Sequence, residues 1–303
     1  MPSNPWTQPA FPVQSGIRLA AALAESAAAP DAELQRIETW HGGPWTLRWC
    51  AAEEELRVML AESAQGQAAV VVNLGERESD PAERWRRALT LGAGRLHYAP
   101  WPYGRLASCA CVLRPTVEYV RRIDTLRQGR LRLVDAVRTL SVDQPVICLG
   151  HGASGALAGA LAPWLESQSP IRSRRSLQWL SYGAPAIGNQ AFADGLAQHY
   201  GAEFGRVYNR LDPVTYLWGG VGWLLRSFVG AGSAPRWLQR RVMVLEEELR
   251  RDGIHCRQPE AGYGLQGQLM AVDDWFEQAR LQHQLSTYQQ LLEAREYRVM
   301  EGS

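Results

Sequence analysis

Residues 145–164 read PVICLGHGASGALAGALAPW. An apolar run with strand character, Val146 to Leu149, breaks into glycines at Gly150 and Gly152. From Ser154 the chain continues in small residues at helical spacing. A strand, a sharp turn and a closely packed helix are therefore predicted, and the rest of the architecture is built around them.

Upstream, residues 68–73 (AAVVVN) form a continuous apolar run of the sort buried on both faces of a sheet. Ahead of it, 46–51 and 55–62 read as a hairpin or antiparallel edge. Residues 1–15 read as an extended, proline-containing arm, and 16–29 as an Ala-rich helix. Between the two central strands, Val117, Val120, Ile123, Val134 and Val137 recur at roughly helical spacing over 116–140, with Gly129 as a point of bending or splitting. Strand, helix, strand in that order is a right-handed parallel crossover.

Downstream, 176–182 (SLQWLSY) reads as the next buried strand, 190–200 as a helix and 206–210 as a further strand. Pro213 fixes its own φ and pushes Asp212 towards an extended conformation at that strand's end. Residues 216–237 are rich in Trp, Leu and Gly. Either they fold onto the core or they form a lid, with Trp218, Trp223, Phe228 and Trp237 facing lipid. Residues 238–251 read as a helix of mixed charge. In the last segment, 281–288 (LQHQLSTY), His283 follows Gly152 and Asp212 in chain order.

The chain has 303 residues, 46% hydrophobic and 21% charged, which is enough to bury a sizeable core within one domain. With 32 basic against 31 acidic residues, no nucleic-acid surface is indicated. All the basic residues are Arg and none is Lys, which in an Ala-rich chain points to GC-rich bacterial coding. Five cysteines at 50, 109, 111, 148 and 256 are an odd number without framework, redox or zinc spacing. They read as free thiols in a reducing cytoplasm, with no metal or cofactor implied. Residues 1–15 lack the basic and apolar regions of a secretory signal. The longest apolar segment, 216–232, is interrupted by Arg226 and glycines, so no transmembrane segment is expected.

GHGASGALA at 150–158 closely resembles the G-H-S-x-G-G-A-L-A elbow of the class 3, fungal-type lipases, with Gly152 where that family carries its nucleophilic serine. Further along, 183–189 (GAPAIGN) is similar to the family's G-A-P-R-V-G-N. LDPV at 211–214 matches its N-x-x-D-P-V turn, and 281–288 resembles its H-S-M-x-x-Y segment. A weaker likeness joins LGER at 74–77, with Trp85 and Leu89, to the family's F-R-G-T turn and W-x-x-D-L. The resemblance covers roughly 68–292 and implies an α/β-hydrolase fold with a mostly parallel central sheet, residues 1–45 as an N-terminal arm and helix, and 216–275 as a lid-like insertion.

The same resemblance implies a catalytic set of Gly152, Asp212 and His283, degenerate at the nucleophile. Its oxyanion site would be Ala153 and the degenerate Glu76, and its binding residues His151, Trp218 and Trp223. An ionised Glu76 cannot donate a hydrogen bond to an oxyanion. Serine is needed at an elbow because its Oγ attacks the acyl carbon while histidine takes the proton and aspartate holds the imidazole. Ser154 is a poor substitute, since two helical residues carry it about 200° around the axis and ~3 Å along it.

The family reaction is hydrolysis of acylglycerol or phospholipid esters. This chain is expected to be a pseudoenzyme of that family, binding a lipid or acyl-ester ligand or a protein partner, with interfacial membrane contact allowed. Alternatives are an active or engineered-inactive serine ester hydrolase, or a purely structural interaction protein.

Overall fold

The computed structural model describes residues 45–75, 80–91, 97–168, 176–200, 205–226, 233–253, 255–259 and 262–301. The arm and helix expected over 1–29 lie outside the described residues, as do Glu76 and Phe228.

The chain opens with β1 (Trp45–Glu53), β2 (Leu56–Ser63) and β3 (Ala68–Leu74), followed by helix α1 (Pro81–Leu91). A small hairpin, β4 (Tyr98–Pro100) with β5 (Cys111–Leu113), precedes helices α2 (Arg114–Thr125) and α3 (Leu133–Arg138). The central crossover consists of β6 (Val146–His151), α4 (Gly152–Ser167), β7 (Leu177–Tyr182), α5 (Gln190–Tyr200) and β8 (Arg206–Asn209). A 3₁₀ turn (Pro213–Tyr216), α6 (Val221–Leu224), α7 (Arg236–Asp252), β9 (Tyr263–Leu265), α8 (Trp275–His283) and α9 (Leu285–Glu301) complete it.

Seven strands form one sheet in the order β1-β2-β3-β6-β7-β8-β9. The expected hairpin forms the antiparallel edge, and every pairing from β3 to β9 is parallel. Alternate residues of the strands feed two separate cores. Val70, Val72, Cys148 and Trp179 face one side under α2, α3 and α4, while Val71, Ile147, Leu149 and Leu180 face the other with Tyr288 and Leu292 of α9. Burial on both faces is why 68–73 and 146–149 read as unbroken apolar runs.

Helix α4 is buried on nearly all sides, in keeping with its small apolar sequence. It lies so close to β6 that a Cβ at Gly150 would stand 2.6 Å from the Ser154 carbonyl carbon. Gly150 is thus the residue that lets the helix turn back onto its own strand.

Of the two outcomes Gly129 offered, splitting is the one found: the segment 116–140 is two helices, because Leu126 ends α2 and Gly129 takes a left-handed φ of 60° in the turn that follows. His283 ends α8, and α9 begins two residues later. The three-residue strands β4, β5 and β9 were not expected, being too short to display a period.

Candidate active site

The elbow takes the form its sequence indicates. β6 ends at His151, and Gly152, the first residue of α4, adopts φ +57°. That left-handed conformation strains any residue with a Cβ. The residue directly over it is His283: a Cβ built on Gly152 would lie 2.8 Å from His283 Nε2 and 3.2 Å from its Cε1. The imidazole therefore leans into the space a side chain at position 152 would use.

Asp212 is fully buried beneath that ring. Its Oδ2 lies 2.7 Å from His283 Nδ1 and accepts a second hydrogen bond of 2.7 Å from the Tyr288 hydroxyl. Its Oδ1 accepts the Val214 N–H at 2.9 Å, so the carboxylate caps the 3₁₀ turn that Pro213 starts. A buried carboxylate surrounded by three donors holds the imidazole's orientation and favours the proton on Nδ1.

Two further residues fix this pair. The buried Asn209 side chain donates to both the backbone carbonyl and the side-chain oxygen of Gln282, at 3.2 and 2.7 Å. The strand end before the acid is thereby joined to the residue before the base. Tyr288 also accepts the Asn209 N–H at 3.1 Å, and burial together with Asp212 raises its phenol well above the usual range. Sequence reading named neither residue as functional, although both occupy letters of the motifs quoted: the Asn of N-x-x-D-P-V and the Tyr of H-S-M-x-x-Y. At the second glycine turn, Gly183 has φ +60°, and a Cβ there would lie 2.9 Å from Asp212 Oδ2 and 2.8 Å from the Tyr288 hydroxyl.

His151 packs against His283, ring centroids 4.3 Å apart. Its Nε2 is buried without a hydrogen-bond partner, and its pKa falls well below the usual 6.5, first from burial and then from the neighbouring His283. The ring is held neutral beside the dyad.

Ala153 is exposed at the start of α4, where backbone N–H groups have no intrahelical acceptor. The strand end opposite offers less to an oxyanion. The Leu74 N–H donates to Ser154 Oγ at 2.8 Å, and the Gly75 N–H donates to the Glu55 carbonyl at 2.6 Å. Ser154 is buried with its hydroxyl turned to β3, away from the apex.

Two cavities meet at His151, Ala153 and His283. One, of about 540 Å³, runs between α1, the 3₁₀ turn and α8, walled by Trp85, Ala88, Val214, Leu217 and Phe276. The other, of about 310 Å³, is bounded by 72–75 and the first residues of α4. Trp218 and Trp223 line a different groove beside α7. Trp218 instead ties the loop after the 3₁₀ turn to α1, donating from Nε1 to the Ala88 carbonyl at 2.6 Å. Among the described residues no group of three or more His, Cys, Asp or Glu side chains is placed to hold a metal ion. No helix among them is long and apolar enough to cross a membrane.

A mostly parallel sheet, an elbow at the end of its central strand and an aspartate–histidine pair over the apex together define an α/β-hydrolase fold. Residues 119–220, which contain the elbow, the second glycine turn and Asp212, match the family described as Lipase (class 3). Among solved structures the chain is similar to M37 lipase at 16% identity and a TM-score of 0.72, covering 93% of this chain and 91% of that one. It also matches a triacylglycerol lipase from Penicillium expansum at 20% identity and a TM-score of 0.48, covering 69% of this chain and 73% of that one. For lipase II from Rhizopus niveus the figures are 14%, 0.47, 68% and 71%.

Proposed function

We propose that this protein keeps the acid and base of a class 3 lipase around an acyl-sized cleft but forms no acyl-enzyme, and so binds a lipid-like ligand without turnover. One observation carries the reading: the residue under His283 is a glycine with φ +57°, and the imidazole already leans into the space of the missing side chain. Without an Oγ there is no atom to attack an acyl carbon, and a well-oriented dyad has nothing to activate. Ser154 supports the same conclusion, because its hydroxyl is engaged with the Leu74 N–H. The cleft of about 540 Å³ lies within the ~300–1,000 Å³ range of small-molecule sites and has a mostly apolar lining. Five free cysteines are in keeping with a cytoplasmic location.

The test compares the natural protein with Gly152→Ser on short and long acyl esters and with a serine-reactive phosphonate. The natural protein is expected to give neither turnover nor covalent label. Gly152→Ser is expected to gain both, since the residues that hold His283 are in place. Turnover by the natural protein that Ser154→Ala abolishes would overturn the proposal.

A further inference from the structure

We infer that the cleft beside His283 takes an apolar chain ending in an anionic oxyacid head, a carboxylate or phosphate monoester, in preference to a neutral ester. This deepens the ligand-binding reading above and rests on it. The walls set by Trp85, Ala88, Val214, Leu217 and Phe276 suit a hydrocarbon chain. Among the described residues, the arginines in the lining are Arg84 from α1 and Arg280 from α8, and no Asp or Glu lines the cavity.

Arg280 forks onto Glu277 at 2.6 and 2.8 Å, but both side chains are close to half exposed, at 46% and 40%. A pair that open to solvent contributes little, so the guanidinium exchanges it readily for a ligand oxyanion in a less hydrated cleft.

A further feature gives the cleft the same polarity. Ala153, in the first turn of α4, opens into it, and a helix N-terminus carries partial positive charge. A glyceride ester gains nothing from two guanidiniums and a helix terminus, whereas an ionised head is complementary to all three.

The experiment titrates the natural protein with hexadecanoate, a lysophosphatidic acid of the same chain length, hexadecanol and a monoacylglycerol, by calorimetry or displacement of a fluorescent fatty acid. One or both anions are expected to bind at least about tenfold more tightly than the two neutral compounds, and which of them binds distinguishes carboxylate from phosphate. In the variant carrying Arg84→Met and Arg280→Met, verified as folded by circular dichroism, the anion's Kd should rise to that of hexadecanol while hexadecanol's own Kd stays unchanged.

Equal affinity for neutral and anionic chains, or anion binding unaffected by the double variant, overturns this inference and leaves ligand binding standing. Failure of every chain compound to bind overturns both. Preferred anion binding together with turnover of esters leaves this inference intact and overturns only the non-catalytic reading.

Discussion

At position 152 the backbone has the left-handed bend of an elbow, with φ +57°. Gly152→Ser reinstates the strain, and its Cβ must displace an imidazole held at 2.7 Å by Asp212. The variant is expected to lose about 1–3 kcal/mol of stability in chemical denaturation while gaining esterase activity. Tyr288→Phe removes one donor from Asp212 and leaves the Asn209 N–H without its acceptor. A loss of about 1–3 kcal/mol is expected from the unsatisfied buried groups, measured as a lower Tm. His151 gives a pH dependence. Its folded pKa is depressed, so the unfolded chain binds this proton first as pH falls. Its contribution is complete above about pH 6.5 and declines below it, with a slope of at most ~1.4 kcal/mol per pH unit. Glu55 acts lower down: a backbone hydrogen bond and then Arg122 hold its carboxyl at about 2, so its share is lost as pH falls from about 4.5 towards 2. His151→Gln should flatten denaturation midpoints between pH 6.5 and 5 and leave the more acidic fall in place.

Among the elements, α1 does most to shape the cleft. It is fastened at three points: Trp85 packs edge-on to Trp275 at 5.1 Å, Arg86 lies 4.6 Å over the Trp237 ring, and Trp218 bonds the Ala88 carbonyl. Trp218 holds a positive φ of 62°, rare for a bulky residue, and that backbone is maintained by its burial and its hydrogen bond. Trp85→Ala is expected to cost about 3–5 kcal/mol and to weaken binding of any chain ligand, while Gly152→Ser built on that background should show raised KM more than lowered kcat. The family resemblance implies a binding role for Trp218, while the sequence by itself leaves it either on the core or on a lid; in the structure it is buried and fastened to α1. The choice stayed open for a physical reason: a Trp in a Gly-rich loop carries no periodicity, so its direction depends on what packs over it. Asn209 was missed on similar grounds, because a polar residue closing a strand looks the same whether it faces water or bridges to a helix 73 residues away.

Across the molecule, the parallel strands, the elbow, the hairpin edge and the order of Gly152, Asp212 and His283 were readable because each leaves a local mark: an unbroken apolar run, a glycine where backbones approach, a proline after an acid. What joins them was not readable, since the distance between Asp212 and His283 is decided by how the end of β8, α8 and α9 come together, with α8 and α9 contributing to different cores. The small strands β4, β5 and β9 exist only through their partners, as with Val207 pairing to Tyr263.

Cys148 lies in the middle of β6, fully enclosed, and its enclosure raises the thiol far above the range in which it ionises. Cys109 lies exposed in the segment that joins β4 to β5. An alkylating reagent should therefore modify Cys109 at once and reach Cys148 only when the central strand separates from its neighbours. The sulfur two residues before Gly150 is a natural stopwatch for that rupture, and any bound molecule that bridges α1 to α8 will slow its hands.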